Sequence, residues 1–329
     1  MKITISGDSG FLGSHFGDLL SSKGRDVNIF DIKKLKKNKI YLLLKKYKLI
    51  KNKNLSIFYH QTKDDKNHKS FIDKETNVIF LEKTKNDIYY KKIIKRNDQQ
   101  YIRTYYRKFK NTPLDDSQRR VNQFKNFIKN KIIMDFGCGT GAFLFKSQKI
   151  FKKGIGIELD PNRIEYSDNK KIDFFSNIKK IKDIDFKFDS IFLFHVLEHL
   201  INPDEILRLL KSKLKKNGSL IIEVPHANDL LLKKLKVKSF INFTLWSEHL
   251  ILHTKQSLKC FLEKAGFKKN KIFFYQRYNL NNHIGWLLYN KPGGHIFFKK
   301  KFNKREIDQY NNILIKNEDT DSIYSISKN

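Results

Sequence analysis

The sequence lacks the features that mark secreted and membrane proteins. Its 329 residues contain only two cysteines, Cys138 and Cys260, which excludes a disulfide framework. No apolar run approaches the ~18 residues that a membrane-spanning helix needs. The first residues also lack the apolar stretch of ~7–15 residues found in a secretory signal. We therefore expect a cytoplasmic protein without a membrane span.

Acidic residues and arginine are also scarce. The chain has 34 acidic residues against 67 basic ones, a formal net charge of +33, and only 10 of the basic residues are arginine. Because arginine is preferred over lysine for bidentate contacts with phosphates and base edges, this balance disfavours a nucleic-acid partner. Lysine, asparagine, isoleucine and phenylalanine all have A/T-rich codons, so biased base composition explains the charge. The surplus would still attract an anionic small substrate such as a sugar nucleotide.

The N-terminal part, residues 1–95, contains a first glycine loop. Strand-like runs at 2–6 and 26–31 flank Gly7, Gly10 and Gly13, which indicates a strand, helix, strand unit. Further strand candidates at 55–59 and 77–82 extend this unit into a small, truncated Rossmann-like module.

This glycine loop resembles the head of the extended short-chain dehydrogenases, which include nucleotide-sugar epimerases. In that family the glycines admit a pyrophosphate to a helix N-terminus, and Asp31 would accept ribose hydroxyls. The resemblance ends soon after Asp31, so we favour a scaffold role over nucleotide binding for this module.

The rest of the chain alternates between strand and helix patterns. Residues 96–130 form a polar lead-in with a helical pattern from Ser117 to Ile128, residues 131–300 form the main domain, and residues 301–329 read as a polar tail. In the main domain, apolar runs at 131–136, 153–158, 187–194 and 219–224 alternate with helical stretches at 140–150, 203–215 and 255–265. Such alternation predicts an α/β fold whose parallel sheet is covered on both faces.

A second glycine loop, Asp135 to Gly141, follows a buried strand and opens a helix. Gly137, Gly139 and Ala142 also satisfy a dinucleotide pattern, so the glycines alone do not identify the ligand. Asp135 separates the two interpretations because a buried carboxylate is costly without a cationic partner. S-adenosylmethionine carries a sulfonium and an amino group, whereas a dinucleotide presents an anionic pyrophosphate.

Four ordered motifs carry a resemblance to a known family. MDFGCGTG, GIGIELD, FDSIFLFHVLEHL and LKKNGSLIIEVP follow one another within residues 115–278, as in the class I S-adenosylmethionine-dependent methyltransferases. The resemblance implies a Rossmann-like, doubly wound sheet with S-adenosylmethionine as cofactor. It also implies that the following residues bind this cofactor: Asp135, Gly137, Cys138, Gly139 and Gly141 at the methionine end, Glu158 at the ribose, Ser176 and Asn177 near the adenine, and His195 along the pocket.

The segment after the fourth strand also fits a metal-binding pattern. His195, Glu198 and His199 have the H-x-x-E-H spacing of inverted zinc proteases, and Glu263 would supply a third ligand. These residues directly follow a core strand whose neighbours form the nucleotide site, which leaves little room for a protease cleft. We therefore expect no metal.

His249, in the pair Glu248-His249, is the first candidate for acid–base chemistry. A Glu-His pair followed by a helix is similar to sugar methyltransferases, including C-methyltransferases of nucleotide-linked keto sugars, in which this region bears acid–base residues. Because the pKa of histidine lies near neutrality, His249 is our candidate base and His195 the second. The alternatives for His249 are a structural role in its loop or a metal pair with His253.

The acceptor is expected to be small. The segments around Arg277 and at 291–295 look like those of a methyltransferase group found among surface-polysaccharide biosynthesis proteins, and Arg277 would either clamp a substrate phosphate or form a surface ion pair. We therefore predict methylation of a sugar, nucleotide sugar or related metabolite. The alternatives are an RNA methyltransferase and a catalytically idle nucleotide-binding accessory protein.

Overall fold

The structure is a computed structural model that describes residues 3–6, 27–30, 35–84, 116–160, 164, 171–298 and 301–329. The first glycine loop, Asp31 and residues 96–115 of the expected lead-in lie outside these residues. The described strands are β1 (Ile3–Ser6), β2 (Val27–Phe30), β3 (Leu55–Tyr59), β4 (Ser70–Asp73), β5 (Ile79–Leu81), β6 (Ile132–Phe136), β7 (Lys153–Ile157), β8 (Ile172–Phe175), β9 (Phe188–Phe194), β10 (Leu214–Pro225), β11 (Ile251–Leu252), β12 (Lys269–Tyr275) and β13 (Ser322–Lys328).

The α-helices of the same residues are short. They are α1 (Lys39–Lys46), α2 (Asp116–Gln123), α3 (Lys125–Ile128), α4 (Ala142–Ser147), α5 (Pro203–Lys213), α6 (Lys238–Thr244), α7 (Lys255–Lys264), α8 (Leu280–Tyr289), α9 (Gly294–Phe297) and α10 (Lys304–Lys316). None of these described helices has both the length and the apolar character needed to cross a bilayer.

The central sheet has seven strands in the order β12-β13-β10-β9-β6-β7-β8. The five strands from β10 to β8 in this order are parallel, and β13 runs antiparallel to both of its neighbours. This arrangement confirms the predicted α/β methyltransferase sheet. The chain order reverses between β6 and β9, and parallel sheets bind their ligands at the carboxyl ends of the strands beside such a reversal.

Both faces of β9 are buried, as its nearly continuous apolar sequence predicts. Ile191 and Leu193 belong to the core under α5 and α7, where Leu207 and Phe261 are buried. Phe192 belongs to the core on the opposite face, with side chains of α2 and α4. This two-residue alternation fixes the register of the strand that leads into the site.

The C-terminal segment differs from the expected polar tail. Helix α10 starts with a capping box between Asn303 and Glu306, and β13 lies inside the sheet between β10 and β12. The sequence of β13, SIYSISK, mixes small polar and apolar residues, and its Ser325 and Ser327 are fully buried. A strand of this composition does not stand out as an apolar run, which is why the pattern analysis missed it.

The N-terminal part also departs from a simple Rossmann-like module. Strands β1 and β2 pair in parallel, as a strand, helix, strand unit requires. Strands β3, β4 and β5 are antiparallel and form a separate sheet in the order β11-β5-β4-β3. The connections between them are too short for the crossover that parallel strands need. Strand β11 forms one edge of this sheet and pairs with β5, so residues 55–81 help to position the loop that precedes β11.

Candidate active site

The second glycine loop has a backbone that only glycine adopts easily. Gly137, Gly139 and Gly141 have φ angles of 77°, 56° and 77°, in the left-handed region. A Cβ atom on Gly137 would clash with the side chain of Val196, whereas a Cβ atom on Gly139 would meet nothing within 4 Å. The loop therefore packs tightly against the turn after β9 at Gly137 and faces open space at Gly139.

Hydrogen bonds attach this loop to the end of β7. The amides of Gly137 and Cys138 donate to the carbonyl of Ile157 at 2.7 and 3.0 Å. The amide of Gly139 donates to Glu158 Oε2 at 2.9 Å, and that of Asp160 donates to Glu158 Oε1 at 3.0 Å. The Glu158 carboxylate is thus held beside the loop. Cys138 is buried, and burial raises the pKa of its thiol, so its contribution to a ligand would come from the backbone.

Asp135 lies at the carboxyl end of β6 with 3% of its surface exposed. Burial raises the pKa of Asp135 to about 7; Arg120 opposes the shift and Glu158 adds to it. A carboxyl group in this state gains from a cationic ligand group. Together with the open face at Gly139 and the fixed Glu158 carboxylate, this fits S-adenosylmethionine, which offers an amino group, a sulfonium and ribose hydroxyls.

Ser176 and Asn177 follow β8 at the same edge of the sheet and are exposed. Asn177 Oδ1 accepts a hydrogen bond of 2.8 Å from the amide of Lys179 and caps the 3-10 helix Ile178–Ile181. The ring of Phe174, at the end of β8, packs close to Gly141. A Cβ atom added to Gly141 would lie 2.8 Å from this ring. The predicted adenine segment is therefore next to the glycine loop, with Asn177 engaged as a helix cap.

His195 directly follows β9 with a left-handed φ of 56°. Its amide donates to the carbonyl of Glu223 at 2.8 Å, and its Nε2 accepts from Arg277 Nη1 at 3.0 Å. Its Nδ1 lies 3.4 Å from Glu198 Oε1. A left-handed conformation outside glycine costs about 1–2 kcal/mol, and such strain concentrates at functional sites.

A network of arginines and acids lies beside His195, and the sequence analysis did not identify it. The fully buried Glu223 of β10 accepts hydrogen bonds from Arg119 at 2.8 and 2.9 Å and from Arg120 at 2.7 Å. Burial opposes ionisation, but Arg120, His195 and Arg119 hold the pKa of Glu223 well below its usual range. Arg277 joins the network through an ion pair with Asp116.

The few arginines of the sequence were the feature that could have indicated this network. Three of the ten arginines of a lysine-rich chain, Arg119, Arg120 and Arg277, meet here, and arginine is the cation preferred in buried ion pairs. Arg277 was expected to clamp a substrate phosphate or to form a surface ion pair. The structure shows an ion pair, 20% exposed at the arginine, with the guanidinium also bonded to His195.

Glu198 and His199 of the turn after β9 lie close to His249, which is in the loop before β11. One ligand atom of each lies within 4.8 Å of those of the other two. Burial would raise the pKa of Glu198, but His195, His199 and His249 outweigh it and hold that pKa at about 2. Burial lowers the pKa of His249 to about 4.

Glu263 does not reach this cluster, contrary to its suggested role as a third zinc ligand. It is exposed on α7, with Lys259 Nζ 3.7 Å from its Oε1. His253 is fully buried, with Nδ1 3.2 Å from Ser257 Oγ.

Comparison with known proteins agrees with this geometry. A profile of the family described as "Methyltransferase domain" matches residues 106–271. The chain is 33% identical over 115 residues to a tRNA U34 carboxymethyltransferase of Campylobacter fetus, covering 32% of this chain and 40% of that protein. It is 26% identical over 166 residues to the protein of the same name from Nautilia profundicola, covering 46% and 52%. The chain thus spans about half or less of the length of these relatives.

Among solved structures, a SAM dependent methyltransferase from Archaeoglobus fulgidus matches 70% of this chain and 100% of its own, with a TM-score of 0.48 and 24% identity. The family profile covers half of the chain, and its range includes the glycine loop, Glu158 and the turn after β9. The chain therefore belongs to the class I S-adenosylmethionine-dependent methyltransferases.

Proposed function

We propose that this methyltransferase modifies a nucleoside within RNA. The observation that carries the proposal is the name shared by the curated relatives above, tRNA U34 carboxymethyltransferase, at up to 33% identity across part of the methyltransferase domain. The net charge of +33 agrees with a polyanionic acceptor. The proposal reverses the preference for a small sugar acceptor that the sequence analysis favoured.

The charge alone does not choose between acceptors. Exposed lysines occur at both edges of the sheet, with Lys179 and Lys180 beyond β8 and Lys269 and Lys271 on β12. A polyanion would be bound best by a continuous basic stripe, whereas lysines spread over both edges also agree with biased codon usage. A sugar or nucleotide sugar therefore remains the competing acceptor.

The carboxyl edge of the sheet has two halves with distinct tasks in this proposal. The ends of β6, β7 and β8 form the cofactor half, and the ends of β9 and β10 form the acceptor half. Bound S-adenosylmethionine supplies an electrophilic methyl group on a sulfonium. Asp135 would hold its amino group, the backbone of the glycine loop would contact its methionine end, Glu158 would bind its ribose, and the Ser176–Asn177 segment would lie at its adenine. Much of the rate enhancement would come from positioning the acceptor in line with the methyl group. The acceptor's proton would pass to an imidazole of the other half, His195 or His249.

An acceptor panel tests the proposal. Full-length protein and S-adenosylmethionine with a labelled methyl group are incubated with total tRNA, synthetic anticodon stem-loops and a set of nucleotide sugars. We expect label in tRNA, and mass spectrometry of its nucleosides will identify the base and the mass of the added group. Label confined to a nucleotide sugar would instead establish the competing acceptor. A heat-denatured protein sample controls for transfer without enzyme.

A further inference from the structure

The cluster of Glu198, His199 and His249 has an unusual balance of hydrogen-bonding groups. Glu198 is fully buried, and among the described residues neither of its carboxylate oxygens accepts a hydrogen bond of good geometry, although His195 Nδ1 lies 3.4 Å from Oε1. An ionised carboxylate accepts hydrogen bonds but donates none. Leaving such a group unpaired in the interior costs on the order of several kcal/mol. The site therefore favours a cation or a further donor.

In their neutral forms, the imidazoles of His199 and His249 do not supply that donor. His199 Nδ1 lies 2.9 Å from the carbonyl of Glu248, and His249 Nδ1 lies 2.7 Å from the carbonyl of Thr244. Since a carbonyl only accepts, each Nδ1 carries a proton, and in the neutral form of either ring the Nε2 keeps its lone pair. Metal-ligating histidines are usually held in this way, with one ring nitrogen donating to a carbonyl and the other free for the metal.

The spacing of the three groups also suits a metal ion. His199 Nε2 is 3.8 Å from Glu198 Oε1, the ring centroids of His199 and His249 are 4.9 Å apart, and the three ligand atoms lie within 4.8 Å of one another. Zinc bonds of about 2.0–2.1 Å place the ligand atoms of a tetrahedral site about 3.4 Å apart. Shifts of about 1 Å or less would close the cluster around an ion of this size.

We propose that Glu198, His199 and His249 form a binding site for a divalent first-row transition metal ion. Two imidazoles and a carboxylate are a ligand set for zinc or iron, and three protein ligands leave a position open. The turn that carries Glu198 also carries Val196, whose side chain packs on Gly137 of the glycine loop. The proposed metal site is therefore on the same turn as a side chain that contacts the glycine loop.

This site gives His249 a role different from proton acceptance. A metal-bound Nε2 cannot take a proton, so His195 would be the remaining imidazole candidate at this edge. The site uses Glu198 and His199 of the H-x-x-E-H segment, with His249 instead of His195 and the suggested Glu263, and it needs no protease cleft.

Zinc titration of the untagged, full-length protein tests the proposal, after removal of metals by a chelator. We expect calorimetry to show one equivalent of bound Zn²⁺, which Glu198→Gln and His249→Asn each abolish. The matched control is His60→Asn, because His60 is exposed and outside the cluster; it should keep the full equivalent. Absence of stoichiometric binding, or a site that survives both cluster variants, would overturn the proposal.

A cobalt spectrum provides a measurement that needs no variant. Co²⁺ added to the metal-free wild-type protein should give visible absorption bands of four- or five-coordinate cobalt with nitrogen ligands, and Zn²⁺ should displace them. A spectrum of free hexaaqua Co²⁺ contradicts the site, even if every variant fails to fold. Neither measurement uses methyl transfer, so a negative result leaves the proposed acceptor untouched.

Discussion

The two halves of the sheet's carboxyl edge consist of different chemical groups. The half at the ends of β6, β7 and β8, which we propose binds the cofactor, consists of glycine backbone, loop amides and two carboxyl groups. The other half, at the ends of β9 and β10, which we propose faces the acceptor, contains charged side chains and imidazoles from five separate parts of the chain. The geometry of a backbone loop is determined by short sequence motifs, whereas the geometry of an ion-pair network depends on the whole fold.

The largest effect is expected from breaking the ion network of the acceptor half. Glu223→Gln keeps the shape of the side chain but leaves Arg119 and Arg120 without their buried counter-charge. We expect urea unfolding to show a loss of about 3–5 kcal/mol, the usual cost of removing one partner of a buried pair. Glu75→Gln is the control, because Glu75 pairs with Lys51 in solvent, and it should change nothing measurable. A loss near zero for Glu223→Gln would show that the network is dispensable.

Two glycine substitutions separate packing from ligand binding in the cofactor half. Both Gly137→Ala and Gly139→Ala force a side chain into left-handed backbone, at about 1–2 kcal/mol each. Gly137→Ala adds a clash with Val196, which costs about 1–3 kcal/mol more. Thermal unfolding should therefore rank Gly137→Ala as the less stable variant. Gly139→Ala should lower cofactor affinity, because its added methyl group would lie on the open face of the loop. Equal stability losses in the two variants would contradict this assignment of packing to Gly137 and ligand binding to Gly139.

Cofactor affinity should depend on pH through Asp135. Its pKa is raised to about 7, so it loses its charge as the pH falls through 7, and the affinity for the cationic amino group falls with it. Well below pH 7 the loss approaches about tenfold per pH unit, or 1.4 kcal/mol. Calorimetry between about pH 6 and 8 measures this slope for the wild-type protein.

Asp135→Asn is the matched variant for that measurement. It should bind the cofactor more weakly at pH 8 and show a flatter profile. Because a raised carboxyl pKa destabilises the folded state above the unfolded pKa, the same variant should be more stable than wild type at pH 8 without cofactor. A pH slope that persists in Asp135→Asn would assign it to another group.

The smallest effect is expected at the edge of the cofactor half. Asn177→Ala removes the cap on the amide of Lys179, which costs about 0.5–1 kcal/mol of stability. If the segment also contacts adenine, cofactor affinity should fall severalfold in the same variant. Ser176→Ala changes the neighbouring exposed residue and keeps the cap of Asn177. It therefore reports the effect of this segment on cofactor affinity alone. An affinity equal to wild type in both variants would remove this segment from the site.

The contrast between the halves also explains what sequence patterns could predict. Asp135, the three glycines and Glu158 lie in two contiguous motifs, and apolar runs locate the parallel strands around them. Glu223 meets Arg119 across more than a hundred residues of chain, and no local pattern encodes such a contact. The same limit produced the expectation of Glu263 as a ligand, since helical spacing does not say which loop packs against Glu198.

Strand composition set the other limit. β9 was recognisable because both of its faces are apolar, whereas β13 places Ser325 and Ser327 in the interior and reads as a polar segment. The antiparallel pairing of β3, β4 and β5 was missed for a related reason. Short apolar runs predict strands but not their partners or direction, which depend on the connections between them.

The position of β13 has a consequence for how the protein folds. This strand is the last along the described chain, yet it pairs with β10 about a hundred residues earlier and separates it from β12. During synthesis, β10 and β12 must therefore wait with open hydrogen-bonding edges until residues 322–328 leave the ribosome. Pairings of such long range form slowly, and open strand edges promote aggregation. Chains interrupted before β13 should depend strongly on chaperones to remain unaggregated.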